Sequence, residues 1–199
     1  IGPYILRDLD GLPTYTYTNF TWPDAGSPMA FMVFNPWATV PAITLQPASG
    51  RRFLVAMAGP DGPNNDWLII PARPGEFGFM ARSLVADYPE SMRVLYSTTG
   101  TQAADFTPLP GGSQITPDAY WNAYSFQAPE NTAYLAIHYN ANDTYFLLID
   151  DLYYQRPYQH ALGYNVYLNG VLIAENLPDT EILFTLVRDE LNLAEVEAV

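Results

Sequence analysis

The chain contains no cysteine and no lysine. The first absence removes disulfides, thiolate catalysis and zinc–sulfur sites together. The second leaves eight arginines as the whole basic supply against 21 acidic residues, a formal net charge of −13 at pH 7. Charged residues make up 15% of the 199, where about a quarter is usual. Long apolar runs are missing too. Pieces such as FLVAMAG have strand length, and none approaches the roughly 20 residues of a membrane span. The opening residues IGPYILRDLD carry neither a basic region nor an apolar h-region, so no secretion signal is expected within the sequence as it stands. Helical periodicity is nearly absent, and so is the βαβ alternation of a nucleotide-binding doubly wound sheet. A surface this acidic repels phosphate backbones and anionic lipid, which argues against nucleic acid and membrane insertion and suits divalent cations.

What is present points to β structure. Hydrophobic residues reach 49%, enough for a core without staples, and Tyr (15), Pro (18) and Gly (13) are plentiful. Candidate strands are Tyr15–Trp22, Met29–Phe34, Arg52–Met57, Trp67–Ile70 and Phe77–Arg82, then Met92–Ser97, Tyr120–Phe126, Ala133–Tyr139 and Tyr145–Tyr153. Between them stand GPDGPNN, YPES, TTGT, LPGGS, APEN and NAND, clusters of the residues that reverse a chain. FGFMARS and YLAIHYN alternate as half-buried strands do, whereas YFLLI is continuously apolar and is expected centrally with both faces covered. The expected class is all-β, a jelly-roll β-sandwich over residues 1–157.

After Arg156-Pro157 the texture changes. NVYL and VLIAEN flank Asn169-Gly170, a pair whose tolerance of positive φ makes it the strongest short hairpin signal. EILFTLV and LAEVEAV would add two strands, giving a small β unit over residues 158–199.

Three groups of residues are chemically suggestive. Asp8-Leu9-Asp10-Gly11 places two carboxylates at i and i+2 on a sharp turn, a calcium-like arrangement, although no distant Glu completes an EF-hand and an acidic surface turn fits the same residues. Asp150 and Asp151 close the apolar YFLLI strand and point to opposite faces, so one of them needs a partner. With eight Arg and no Lys, a bound cation shared with Asp8 and Asp10 is the economical solution. Among the aromatics, Trp67 and Trp121 read as core or sheet-face residues, while Trp37, in the proline-bounded FNPWATVP, is the best exposed candidate for stacking on a sugar or other ligand. Catalysis has little support. His138 and His160 lie on separate elements and read as a core or edge imidazole and a linker residue, no G-x-S-x-G occurs, and Glu76, Glu90 and Glu130 stand in turns.

Taken in order, D-x-D-G (Asp8, Asp10, Gly11), NNDWLIIP (Asn64–Pro71), FGFMARS, Tyr88–Leu109, W-x-x-YSF (Trp121–Phe126), Ala133–Tyr154 and YNVYLNGVLIAENL resemble the cleaved adhesin, or choice-of-anchor J, domain of Bacteroidetes surface proteins, as repeated in the adhesin regions of gingipains. The resemblance implies a jelly roll whose structural Ca2+ ties the N-terminal loop to the last strand, with Asp8, Asp10, Asp151 and Asp150 as the ligands carried over. It also implies a non-catalytic, secreted or cell-surface module of a larger chain, monomeric, that adheres to host protein or glycan. A carbohydrate-binding module attached to a glycan-degrading enzyme or protease is the alternative. The tail resembles part of a fibronectin-type-III-like segment, and Pro28–Gln46 departs from the simpler family pattern.

Overall fold

Apolar runs bounded by turn residues become strands along most of this chain. A computed structural model describes residues 4–156, 164–177 and 194–198. In chain order the strands are β1 (Ile5–Asp8), β2 (Phe31–Phe34), β3 (Phe53–Met57), β4 (Asp66–Pro71), β5 (Gly75–Ser83) and β6 (Met92–Ser97). They continue with β7 (Thr107–Pro108), β8 (Asn122–Ala128), β9 (Tyr134–Tyr139) and β10 (Phe146–Tyr154), then β11 (Tyr164–Leu168), β12 (Val171–Leu177) and β13 (Ala194–Ala198). The helical pieces among the described residues are short 3-10 turns at Pro36–Ala38 and Ala103–Asp105. The chain divides into two compact units, Ile1–Pro157 and Tyr158–Val199.

The first unit is a sandwich of two five-stranded antiparallel sheets, ordered β1-β4-β9-β6-β7 and β2-β3-β10-β5-β8. Strand alternation sends Leu68, Ile70, Val94, Leu135 and Ile137 inward from one sheet to meet Phe77, Phe79, Leu147 and Ile149 from the other. Complete burial of such side chains removes about 1.5–3 kcal/mol each of unfavourable hydration, which makes this layer the main source of stability.

The apolar run YFLLI occupies the middle of the second sheet, between β3 and β5. Leu147 and Ile149 face the inter-sheet core, whereas Phe146 and Leu148 face a second cluster with Trp22, Phe34, Phe53, Val55 and Met57. The cover over that outer face corrects one strand expectation. Residues 15–22 form no strand, because their aromatic side chains lie across the sheet instead of pairing along its edge. Tyr17 meets Phe146 edge-on at 5.3 Å, Trp22 does so at 5.9 Å, and Phe20 stacks on Tyr17 at 5.1 Å. The YTYT alternation mimics a strand, but the bridge pairing within residues 15–22 is a single isolated one, Thr21 with Val40.

In the second unit β11 pairs with β12 through the turn at Asn169 (φ 52°) and Gly170 (φ 78°), and with β13 on its other side. Positive φ at both turn residues is the twist that a two-residue hairpin requires. The expected EILFTLV strand and His160 lie outside the described residues.

Candidate functional site

β1 and β4 run antiparallel in a register that sets Asp8 directly opposite Asp66. Like charges facing each other across a ladder destabilise it. Three residues beyond Asp8 the chain turns at Gly11, whose φ of 66° favours a residue without a side chain. That turn brings Asp10 back, so that one oxygen each of Asp8, Asp10 and Asp66 lies within 4.8 Å of the others.

Backbone amides hold the two outer carboxylates. Gly11 N–H donates to Asp8 Oδ1 at 2.6 Å, Leu12 N–H to Asp10 Oδ1 at 2.7 Å, and Asn65 N–H to Asp10 Oδ2. Asp66 is 1% exposed. Its Oδ2 accepts a bond from Asn64 Nδ2 at 3.2 Å, and the same amide reaches Met57 O at 3.4 Å. The remaining side-chain oxygens of Asp66 and Asn64, both Oδ1, are buried with no hydrogen-bond partner among the described residues. Burial pushes the Asp66 carboxyl up to about 8, with the Asp10 charge adding, the Asn64 bond opposing, and Asp8 adding again. An ionised, half-bonded carboxylate in such a place is costly without a positive partner. Three clustered carboxylates form a hard, oxygen-only donor set, so these residues fit calcium.

The sequence reading named two of these three carboxylates and missed the buried one. Its signal was an Asp immediately before the buried run WLII, with an Asn two residues earlier on the same strand face.

Asp150 and Asp151 are not at this site, which corrects the expectation that all four aspartates converge. They sit in the other sheet, on β10, outside the group formed by Asp8, Asp10 and Asp66. Their partners are local. Asp150 Oδ2 accepts from the N–H of Ala48 at 2.9 Å and of Ser49 at 3.1 Å, and its Oδ1 from Asp151 N–H at 2.9 Å. Asp151 Oδ1 accepts from the Ser49 hydroxyl. A loop supplies with its donors what the sequence reading assigned to a cation.

Trp37 stands on the Pro36–Ala38 turn, 39% exposed, with the Arg51 guanidinium 5.6 Å over its ring. Trp67 is buried and Trp121 donates its indole N–H to Gln46 O at 3.1 Å. His138 pairs across the ladder with Trp67 and stacks on it at 4.2 Å. Its Nε2 meets Asn65 Oδ1 at 3.0 Å, an oxygen that also accepts the Trp67 indole N–H, so Nε2 carries the proton. Burial and then the Arg93 charge lower the imidazole to about 4.

A second feature escaped the sequence reading because its parts are far apart in the chain. Tyr15, Thr16, Tyr17, Tyr88, Asp143, Thr144 and Tyr145 line an open cleft of about 300 Å³. Its walls are tied to the carboxylate cluster. Tyr15 follows the Asp10 turn and donates its N–H to Ala58 O at 2.9 Å, while Asn64 N–H reaches Ala141 O, in the loop that bears Asp143, at 2.8 Å.

Fold and site define a β-sandwich with a carboxylate cluster at its strand ends. The family model of the Cleaved Adhesin Domain matches residues 79–153 of the chain. Lys-gingipain W83 of Porphyromonas gingivalis is 30% identical over 109 residues, which cover 44% of this chain and 6% of that protein. Hemagglutinin A of the same species is 30% identical over an equal length, 5% of its own chain. The match thus spans a small part of these relatives. Among solved structures, the K2 Cleaved Adhesin Domain of Lys-gingipain superposes with a TM-score of 0.58 at 16% identity, covering 75% of this chain and 87% of that one. The K1 domain superposes at 0.55 with 18% identity, covering 78% and 91%. At such identities the likeness speaks for the fold alone. Asp8, Asp10 and Asp66 precede the span that the family model matches.

Proposed function

We propose that this chain is a non-catalytic extracellular binding module, part of a secreted or surface protein, held together by a structural calcium ion and engaging a host protein or glycan. The carrying observation is the buried Asp66, one of whose oxygens has no partner among the described residues, clustered with the carboxylates of Asp8 and Asp10. Asp8, Asp10 and Asp66 would hold the ion, which would neutralise the facing charges of β1 and β4 and fasten the start of the chain to the sandwich. Calcium suits an extracellular setting, where it is abundant and weak sites stay filled. The adhesin-domain match supports the binding role.

Thermal melts of the full chain test the ion. Millimolar calcium is expected to raise the melting temperature by several degrees over excess chelator, as any ligand that binds the native state alone must. Coincident melts would remove calcium from the reading. Binding to immobilised host matrix proteins and to a glycan array, each with calcium present, tests the adhesive role. A chain that retains nothing from either set is not an adhesion module.

A further inference from the structure

We propose that the cleft formed by Tyr15, Tyr17, Tyr88, Tyr145 and Asp143 receives an organic cation, the ammonium or guanidinium end of a basic side chain presented by a partner protein. The walls have the shape for it. Tyr88 stands edge-on to Tyr145, with ring centroids 5.1 Å apart and planes at 83°, and Tyr17 adds a third ring 6.3 Å from Tyr145. Rings set at right angles enclose a compact charge against their negative faces, whereas a sugar ring stacks on one flat platform.

The polar groups agree. Asp143 is exposed, and its Oδ1 accepts the Tyr15 hydroxyl at 2.7 Å, which fixes the carboxylate beside the rings. Tyr17 contributes its ring to the lining, while its hydroxyl is buried away from the opening without a hydrogen-bond partner among the described residues, so Asp143 is the acceptor left for a ligand N–H. The charges acting on these two phenols are negative: Asp143 and Asp61 on Tyr15, Glu90 on Tyr17. The hydrogen bond to Asp143, then burial, then those charges raise the Tyr15 hydroxyl to about 12, so the phenol stays neutral. With a net charge of −13, the whole chain draws cations toward the cleft.

This proposal names the ligand chemistry of the binding module and rests on that reading. The test uses the full chain in saturating calcium, titrated by NMR with N-acetyl-lysine methylamide, its arginine and norleucine counterparts, and methyl galactoside. Both cationic amides are expected to bind at least about tenfold more tightly than the neutral norleucine compound, and to weaken as sodium chloride is raised. Tyr88→Ala and Asp143→Asn should each weaken them about fivefold or more, and Tyr88→Phe, which keeps the ring face, should not. Both positions are exposed, so unchanged melts will show intact folds. Equal binding of norleucine, unchanged affinity in both variants, or methyl galactoside binding here in place of the cations would each overturn the proposal. If host-protein binding persists while the amides fail, the cleft assignment falls alone. If calcium response and all binding are absent, the module reading falls as well.

Discussion

Asp8 and Asp66 face one another across the β1–β4 ladder, and the buried member of the pair lacks a partner on one oxygen. The folded metal-free protein therefore resists ionising Asp66, whose carboxyl stands at about 8 against 3.8 for the free group. Between those values the unfolded chain binds fewer protons than the folded one, so this group's stabilising contribution is complete below about pH 4 and is lost as pH rises toward 8. Asp66→Asn removes the burden. In chelator at pH 7 the variant is expected to be more stable than wild type by about 1–3 kcal/mol in urea unfolding, and nearly all of the calcium-induced gain should vanish. A variant less stable than wild type in chelator would mean that the buried carboxylate carries no such strain.

Asp150 makes the opposite prediction. Two of its three backbone hydrogen bonds tie the Ala48–Ser49 loop to β10 without any ion, and the third comes from Asp151 beside it. Asp150→Ala should cost about 1–3 kcal/mol, by the same amount in chelator and in calcium. Urea curves collected in both conditions decide it. A loss confined to calcium would return Asp150 to the metal site.

These two aspartates show what the sequence made legible. Alternation and turn clusters located most sandwich strands, because period-two burial and chain reversal are local properties. The Asp8-x-Asp10-Gly11 turn was visible for the same reason. Cross-strand register is not local. Nothing in the sequence order says that Asp66 lands opposite Asp8, or that the N–H groups of Ala48 and Ser49, about a hundred residues upstream, reach Asp150. The tyrosine cleft joins segments around positions 15, 88 and 144, which no spacing motif could connect. The segment at residues 15–22 misled for a related reason. Whether an alternating stretch pairs at an edge or lies across a face depends on the sheet that receives it.

Gly78 and Tyr153 offer a packing test. A β-bulge after Asp150, with Asp151 at φ 48°, shifts the register so that Tyr153 falls opposite Gly78. A Cβ on Gly78 would lie 2.4 Å from the Tyr153 hydroxyl and 2.7 Å from Tyr124 O. Gly78→Ala should cost about 1–3 kcal/mol. In a Tyr153→Ala background the cost should shrink without vanishing, since the Tyr124 carbonyl remains. An unchanged cost in that double-mutant cycle would show that the ring is not the obstacle.

His138 gives a pH signature opposite in sign to that of Asp66. Its imidazole, neutral and stacked on Trp67, titrates at about 4 in the folded protein against 6.5 when free. The unfolded chain thus binds the extra proton through most of that interval, and stability contributed here falls as the pH drops from about 6.5 toward 4. NMR of the ring carbons should show no titration of His138 down to about pH 5. Replacing it by Phe, which keeps the aromatic stack but cannot protonate, should remove about 1–2 kcal/mol of the stability lost between pH 6.5 and 5, relative to wild type over the same interval. An imidazole titrating near 6.5 would instead require that water reaches Nδ1, which the structure buries without a partner among the described residues.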